Sequence, residues 1–393
     1  MRLLFVSHSL PPVDRPLDNL GGMQRVAIDL HDSLLAHAGV TSSALVLRAP
    51  WSRRGYLTPM FLAQAVREIR RLARTREIDA VLFSSMVTAA VTVPLKSVLK
   101  RNGIVTAAIV NGLDATTPTW PYPLLVKKIF ESVDIVLPIS RATAEACHVR
   151  GLARSKSEVV LLGIRHDRFR AGGDKSSARD ALLHAIQSRQ PGAIPSLVLS
   201  SVGRLVPRKG VEWFVSNVMP KLPADVHFVV AGEGEERARI EAAILRHSLG
   251  SRVTLLGRVT DEELENVYRG SDLFLMPNVP VTGDMEGFGL VMLEAGICGL
   301  PVIASDMEGI SDVVSEGQNG ILIESGQAEE FAGAIMRFYQ DQDLLAASSA
   351  RARLYTASRF GWAGVIDRYL EVIRELRENR GEFNASNQRV IQR

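Results

Sequence analysis

At 393 residues the chain is long enough for two domains with full hydrophobic cores, and its apolar fraction of 46% is ordinary for a globular protein. A net charge of only +3 argues against a nucleic-acid partner, and two cysteines, Cys147 and Cys298, are too few and too far apart for a disulfide framework or a metal-binding pair. The total hides an asymmetry: residues 1–170 hold 23 Lys and Arg against 13 Asp and Glu, whereas residues 171–393 hold 23 against 30, which suggests different partners for the two halves.

The opening run MRLLFVSH is too short for a signal peptide and is predicted as a first buried strand, which with the two isolated cysteines points to a cytoplasmic protein. The loop that follows carries Gly21-Gly22 ahead of an amphipathic helix, where backbone amides could approach a diphosphate or an acceptor; no G-x-G-x-x-G follows the strand, which weakens a dehydrogenase reading. Residues 60–77 combine a helical stripe of Phe61, Leu62, Ala65, Val66, Ile69 and Leu72 with Arg67, Arg70, Arg71, Arg74 and Arg76. With Trp51, Arg53, Arg54 and Tyr56 upstream, they suggest either a core-packed helix with a solvated basic face or peripheral contact with an anionic membrane at its inner face. The longest apolar stretch, residues 80–95, falls short of a bilayer crossing and is predicted as a strand followed by a helix. Apolar runs near 2–7, 44–47, 79–83, 104–110, 134–138 and 158–162 alternate with helical segments, the pattern of a doubly wound parallel sheet. Residues 163–175 are predicted as a linker. A second sheet is predicted from runs at 197–202, 226–231, 253–256, 272–276, 301–304 and 321–323. Residues 362–378 carry the last helical stripe, and 379–393 are expected to fray.

Two loops carry the chemistry. Ser200 to Gly210, with GRLVPRKG at its centre, follows a strand-like run; Arg204 can make a forked contact with phosphate oxygens, and Lys209 supplies a mobile point charge. Carboxyl ends of strands are where open α/β sheets bind ligands. Glu286 to Glu294, EGFGLVMLE, places glycines where a loop opens a helix, a corner that attracts anions. Its two carboxylates suit vicinal hydroxyls better than phosphate, so a sugar and a ribose flanking a phosphate are predicted.

GRLVPRKG, then AGEG at 231–234, then EGFGLVMLEAGICGLPVIAS at 286–305 resemble the retaining glycosyltransferases of family 4. The resemblance runs from the Gly21-Gly22 loop to the region near Trp362. It implies the α/β GT-B fold of two facing Rossmann-like, doubly wound parallel-sheet domains with a C-terminal crossover helix. The acceptor-binding domain would cover 1–165 with the returning helix 362–380, the donor-binding domain 176–361, and a flexible tail 381–393. The implied activity moves a hexose from a UDP- or GDP-sugar to a glycan or lipid-linked acceptor with retention of configuration and neither metal nor cofactor. Arg204 and Lys209 would stabilise the leaving diphosphate. Glu286 would contact the donor sugar and Glu294 the ribose, with Gly22, Gly203, Glu233, Gly234, Val259, Gly287, Phe288, Gly289 and Leu290 completing the donor site. Many relatives carry a His before Gly where this chain reads Val110-Asn111-Gly112-Leu113-Asp114. Asn111 cannot titrate, so it is carried over to position the substrate, with Asp114 and His8 as acceptor contacts. A nucleotide-sugar epimerase of the same fold and a non-catalytic sugar-nucleotide or glycan binder remain as alternatives.

Overall fold

The computed structural model describes residues 1–13, 22–117, 122–169 and 174–391. The chain divides into two compact units, Met1–Gly163 with Trp362–Arg393, and Ile164–Gly361.

The first unit is built on a parallel sheet of β1 (Arg2–Leu10), β2 (Thr41–Arg48), β3 (Ala80–Phe83), β4 (Val105–Val110) and β5 (Ile135–Pro138), in the order β2-β1-β3-β4-β5. β3, β4 and β5 are buried at every position, as strands covered on both faces must be, while β2 at the edge is largely open. In this order the winding reverses between β1 and β3, so ligands are expected beyond their carboxyl ends. The predicted sixth strand at 158–162 is a correction. Glu158 and Val160 donate to the Val136 and Pro138 carbonyls, so the segment lies along β5, but these contacts do not extend into a ladder.

The helix Trp51–Arg74 is the predicted basic segment, and it packs inward. Phe61, Ala65, Ile69 and Ala73 recur every fourth residue and are all within the core. Leu62, Val66 and Leu72 pack partly buried against the same cluster. The apolar stripe is therefore taken up by the sheet and is not free to enter lipid. The closing helix, Trp362–Ile391, buries Trp362, Ile366, Tyr369, Leu370 and Ile373. It is tied to the rest of its unit by Arg368 on Glu158 at 2.5 Å, Arg374 on the Gly39 carbonyl at 3.0 Å and Arg380 on Asp134. It continues as helix through the predicted tail as far as Ile391, with no proline to interrupt it.

The second unit carries β6 (Leu197–Val202), β7 (Val226–Ala231), β8 (Val253–Gly257), β9 (Leu273–Met276), β10 (Val302–Ser305) and β11 (Gly320–Ile323). These pair in parallel in the order β11-β10-β9-β6-β7-β8, the Rossmann winding, with its reversal between β6 and β9. Phe214, Phe228 and Phe331 fill one face of the sheet, with ring centroids 4.9 and 6.4 Å apart. No helix among the described residues is long and apolar enough to cross a membrane.

Candidate active site

The reversal between β6 and β9 decides where the two sequence motifs meet. GRLVPRKG leaves the end of β6, and the loop 277–289 leaves the end of β9, so both open at the same point of the sheet. Lys209 Nζ lies 2.5 Å from Glu286 Oε2, joining residues 77 positions apart. Arg208 Nη2 stands 3.6 Å from the same oxygen and its Nε 3.3 Å from Asp284 Oδ1. Asn278 Nδ2 donates to Glu286 Oε2 at 3.4 Å. Glu286 is only 8% exposed; burial works against its charge, but Lys209 and Arg208, with the hydrogen bonds from Lys209 and Asn278, outweigh it and hold the carboxyl below its ordinary value. Arg204 stands exposed on the same loop, with no ion pair among the described residues.

The helix Leu290–Ile297 begins at Gly289, which takes φ 85° and ψ 58°, a left-handed conformation that favours glycine, and no side chain caps its first turn. Met292 N–H bonds back to the Gly289 carbonyl at 2.9 Å, and the amides of Leu290 and Val291 remain available to an anion. Phe288 is 2% exposed and packs edge-on against Phe360, so its ring belongs to the core beneath the corner. One turn into the helix Glu294 is 2% exposed, accepts from the Tyr268 hydroxyl at 2.8 Å, and pairs with Arg168 Nε at 3.2 Å. The predicted ribose contact is therefore already engaged by two protein groups. A diol would have to share it or displace Arg168.

Around this corner, glycine serves close packing. A Cβ at Gly232 would lie 1.8 Å from the Gly203 carbonyl oxygen, and one at Gly234 would lie 2.2 Å from that of Leu205. AGEG thus lets the loop after β7 lie flat on GRLVPRKG. Glu233 is taken by Arg237 at 2.6 Å, and the Val259 side chain packs against the cluster of Leu182, Ile186 and Val267.

In the first unit Asn111 lies just beyond β4 and is 8% exposed. Its backbone N–H and Nδ2 both donate to Asp114 Oδ2 at 3.2 Å, half of a capping box on the helix Gly112–Thr116. Burial pushes the Asp114 carboxyl up to about 6, although the Asn111 and Met86 hydrogen bonds pull the other way. The predicted acceptor contact Asp114 is thus buried and holds Asn111. Because Asp114 takes one amide N–H, the Asn111 carbonyl oxygen and its second N–H remain for a ligand. His8 lies in β1 with Nδ1 3.5 Å from Ser85 Oγ, just past the end of β3. Burial and then Arg54 push its imidazole down to about 4, so it is neutral. Gly22 is exposed at the start of the helix Gly22–Ala36; Gly21 lies outside the described residues.

Sequence reasoning missed Arg168, Tyr268, Asn278 and Glu308. Asn278, a polar residue two positions beyond β9, could have been found as a strand-end group. Arg168 and Tyr268 reach Glu294 only through the fold. No group of three or more His, Cys, Asp and Glu among the described residues is arranged to hold a metal.

Residues 187–355 match the family model described as glycosyl transferases group 1. The D-inositol 3-phosphate glycosyltransferase of Rhodococcus erythropolis is 34% identical over 246 residues, 60% of this chain and 52% of that protein. The chain thus spans about half the length of such a curated relative. The GDP-mannose-dependent monoacylated alpha-(1-6)-phosphatidylinositol monomannoside mannosyltransferase of Corynebacterium glutamicum is 26% identical over 82% of each chain. Among solved structures, Anabaena Alr3699/HepE in complex with UDP superposes with a TM-score of 0.71 at 19% identity, covering 95% of this chain and 100% of that one. Two parallel-sheet Rossmann-like units, matched over nearly their whole length by such structures, are the GT-B fold, and the segment 187–355 within it matches the glycosyl transferases group 1 model.

Proposed function

We propose that the chain is a retaining glycosyltransferase of family 4, moving a hexose from a nucleotide diphosphate sugar to a glycan or lipid-linked acceptor. The observation that carries this reading is the 2.5 Å contact between Lys209 and Glu286. It joins the phosphate-type loop after β6 to the sugar-type loop after β9. Lys209 has three N–H donors, of which Glu286 takes one, leaving two for phosphate oxygens. Arg204 and Lys209 stabilise the negative charge that builds on the diphosphate as its bond to the anomeric carbon breaks, and the unpartnered amides at Gly289–Leu290 add to them. Glu286 orients the hexose hydroxyls. A phosphate oxygen of the leaving group takes the proton of the acceptor hydroxyl as its oxygen bonds to the same face of the sugar, so no separate base is needed. The two cations supply the positive charge that a divalent ion would otherwise bring, and activity is expected to survive EDTA.

The relatives act on GDP-mannose and on inositol-type acceptors according to their names, and a neighbour binds UDP, so UDP- and GDP-sugars are the donors to try first. Thermal-shift screening of UDP-, GDP- and ADP-sugars tests the reading, since a ligand of the folded state raises its melting temperature; no shift with any of them defeats it.

Peripheral attachment to anionic lipid is the finer part of the proposal. With the apolar stripe in the core, it rests on exposed Arg53, Arg67, Arg70 and Arg74 together with Tyr56 and Met60, which are 59% and 68% exposed. Each surface cation contributes about 1 kcal/mol toward an anionic membrane. Equal flotation with neutral and anionic liposomes would remove it.

A further inference from the structure

Three non-glycine residues among those described have positive φ, and two of them, Arg76 and Ser248, follow helix ends, where a left-handed residue is ordinary. The third, Glu308, does not. It has φ 51° at the start of the short turn Glu308–Asp312 after β10. Its Oε2 accepts the backbone N–H of Glu286 at 2.5 Å, and the next residue, Gly309, donates its own N–H to the Glu286 carbonyl at 3.1 Å. Two consecutive residues therefore hold both backbone groups of Glu286. From the opposite loop Arg208 reaches Asp284 and the Glu286 side chain at 3.3 and 3.6 Å, and its Nη1 is buried without a hydrogen bond. Two carboxylates, Asp284 and Glu286, thus meet one guanidinium, and a third, Glu308, holds the backbone of the second. Glycine would relieve the backbone strain at 308, yet the chain places there a side chain whose carboxylate is used on Glu286. Strain kept at a site of this kind points to use of the side chain.

We propose that Glu308 is a positioning residue for Glu286, fixing its backbone so that its carboxylate meets the donor sugar, with Arg208 bracing the same loop from the other side. This rests on the donor-site reading above. Glu308 touches no substrate and acts only through Glu286.

Glu308→Gly removes the carboxylate and the strain together, so it is expected to fold at least as well as the parent. Three measurements test the proposal on the full chain: melting temperature, amide hydrogen exchange of peptides covering 284–290, and steady-state kinetics beside affinity for the free nucleoside diphosphate. Glu308→Gly is expected to keep the melting temperature, to speed exchange of 284–290 at least tenfold, and to lower kcat at least tenfold with nucleoside diphosphate affinity changed less than twofold. Glu308→Gln keeps a carbonyl acceptor and is expected to recover most of kcat. Unchanged kcat in Glu308→Gly, or a loss that follows melting temperature and nucleotide affinity down together, overturns the positioning role. Failure of the parent protein itself to bind any nucleotide sugar defeats the donor-site reading instead, and the exchange data still report whether Glu308 holds the loop.

Discussion

The two units present their strand ends differently. In the second unit the reversal between β6 and β9 is crowded with charge: Arg208 and Lys209 interlock with Asp284 and Glu286 while Glu308 holds the Glu286 backbone. Among the described residues, the corresponding ends in the first unit carry neutral His8 against Ser85, with Arg54 on the Leu10 carbonyl beside it, and an asparagine amide held by an inward-facing aspartate, without an interlocked set of acids and cations. A site that must meet a diphosphate needs charge fixed in place before the ligand arrives, because reorganising it during reaction would cost what the charge supplies. A site that recognises hydroxyls can work through neutral donors and acceptors, whose placement costs little desolvation.

The contrast breaks most clearly in kinetics. Arg204→Ala or Lys209→Ala is expected to lower kcat several hundredfold, about 3–4 kcal/mol of lost transition-state stabilisation, whereas Asn111→Ala should cost about one hydrogen bond, roughly tenfold. Equal losses in single-turnover assays would erase the distinction between the units. Stability gives the next effect. Glu294→Leu leaves Arg168 and the Tyr268 hydroxyl without their carboxylate in a site where Glu294 is 2% exposed, and should cost about 3 kcal/mol in urea unfolding. Asp114→Ala, which frees one amide and one backbone N–H of Asn111, should cost about 1–2 kcal/mol. A loss for Asp114→Ala as large as that for Glu294→Leu would show that the neutral network is no lighter than the ionic one.

Acid sharpens the comparison least, because each unit holds a neutral histidine. Burial and neighbouring arginines push His8 and His227 down to about 4 in the folded chain, against about 6.5 when unfolded. The unfolded state takes the proton first, so their contribution is complete above pH 6.5 and is lost as the pH falls toward 4. The Asp114 carboxyl, raised to about 6, works in reverse: folded chain binds its proton first, so its ionisation costs stability as pH rises from about 4 to 6. Unfolding midpoints between pH 7 and 4 should therefore fall less steeply for His227→Gln than for the parent, and more steeply for Asp114→Asn.

The strand–loop–helix succession at GRLVPRKG and at EGFG was legible because each motif is local: apolar run, glycine, charged residues and helix follow one another within about ten positions. Five of the six predicted first-unit strands and all six in the second were legible from apolar runs for the same reason. The role of Asp114 was not, since three residues of sequence do not say whether a carboxylate points in or out. What the basic helix packs against was not legible, because a stripe of Phe61, Ala65 and Ile69 has the same spacing whether it meets lipid or a sheet.

By itself the sequence determined which residue types could grip a phosphate or a diol, and which strand each would follow, because periodicity and turn chemistry act over neighbouring residues. Only the tertiary structure decided that Lys209 would spend one donor on Glu286, that Arg168 would reach Glu294 across 126 positions, and that Glu308 would hold the Glu286 backbone. Those pairings follow from a parallel sheet whose winding reverses between β6 and β9, which brings together loops that no sequence spacing relates.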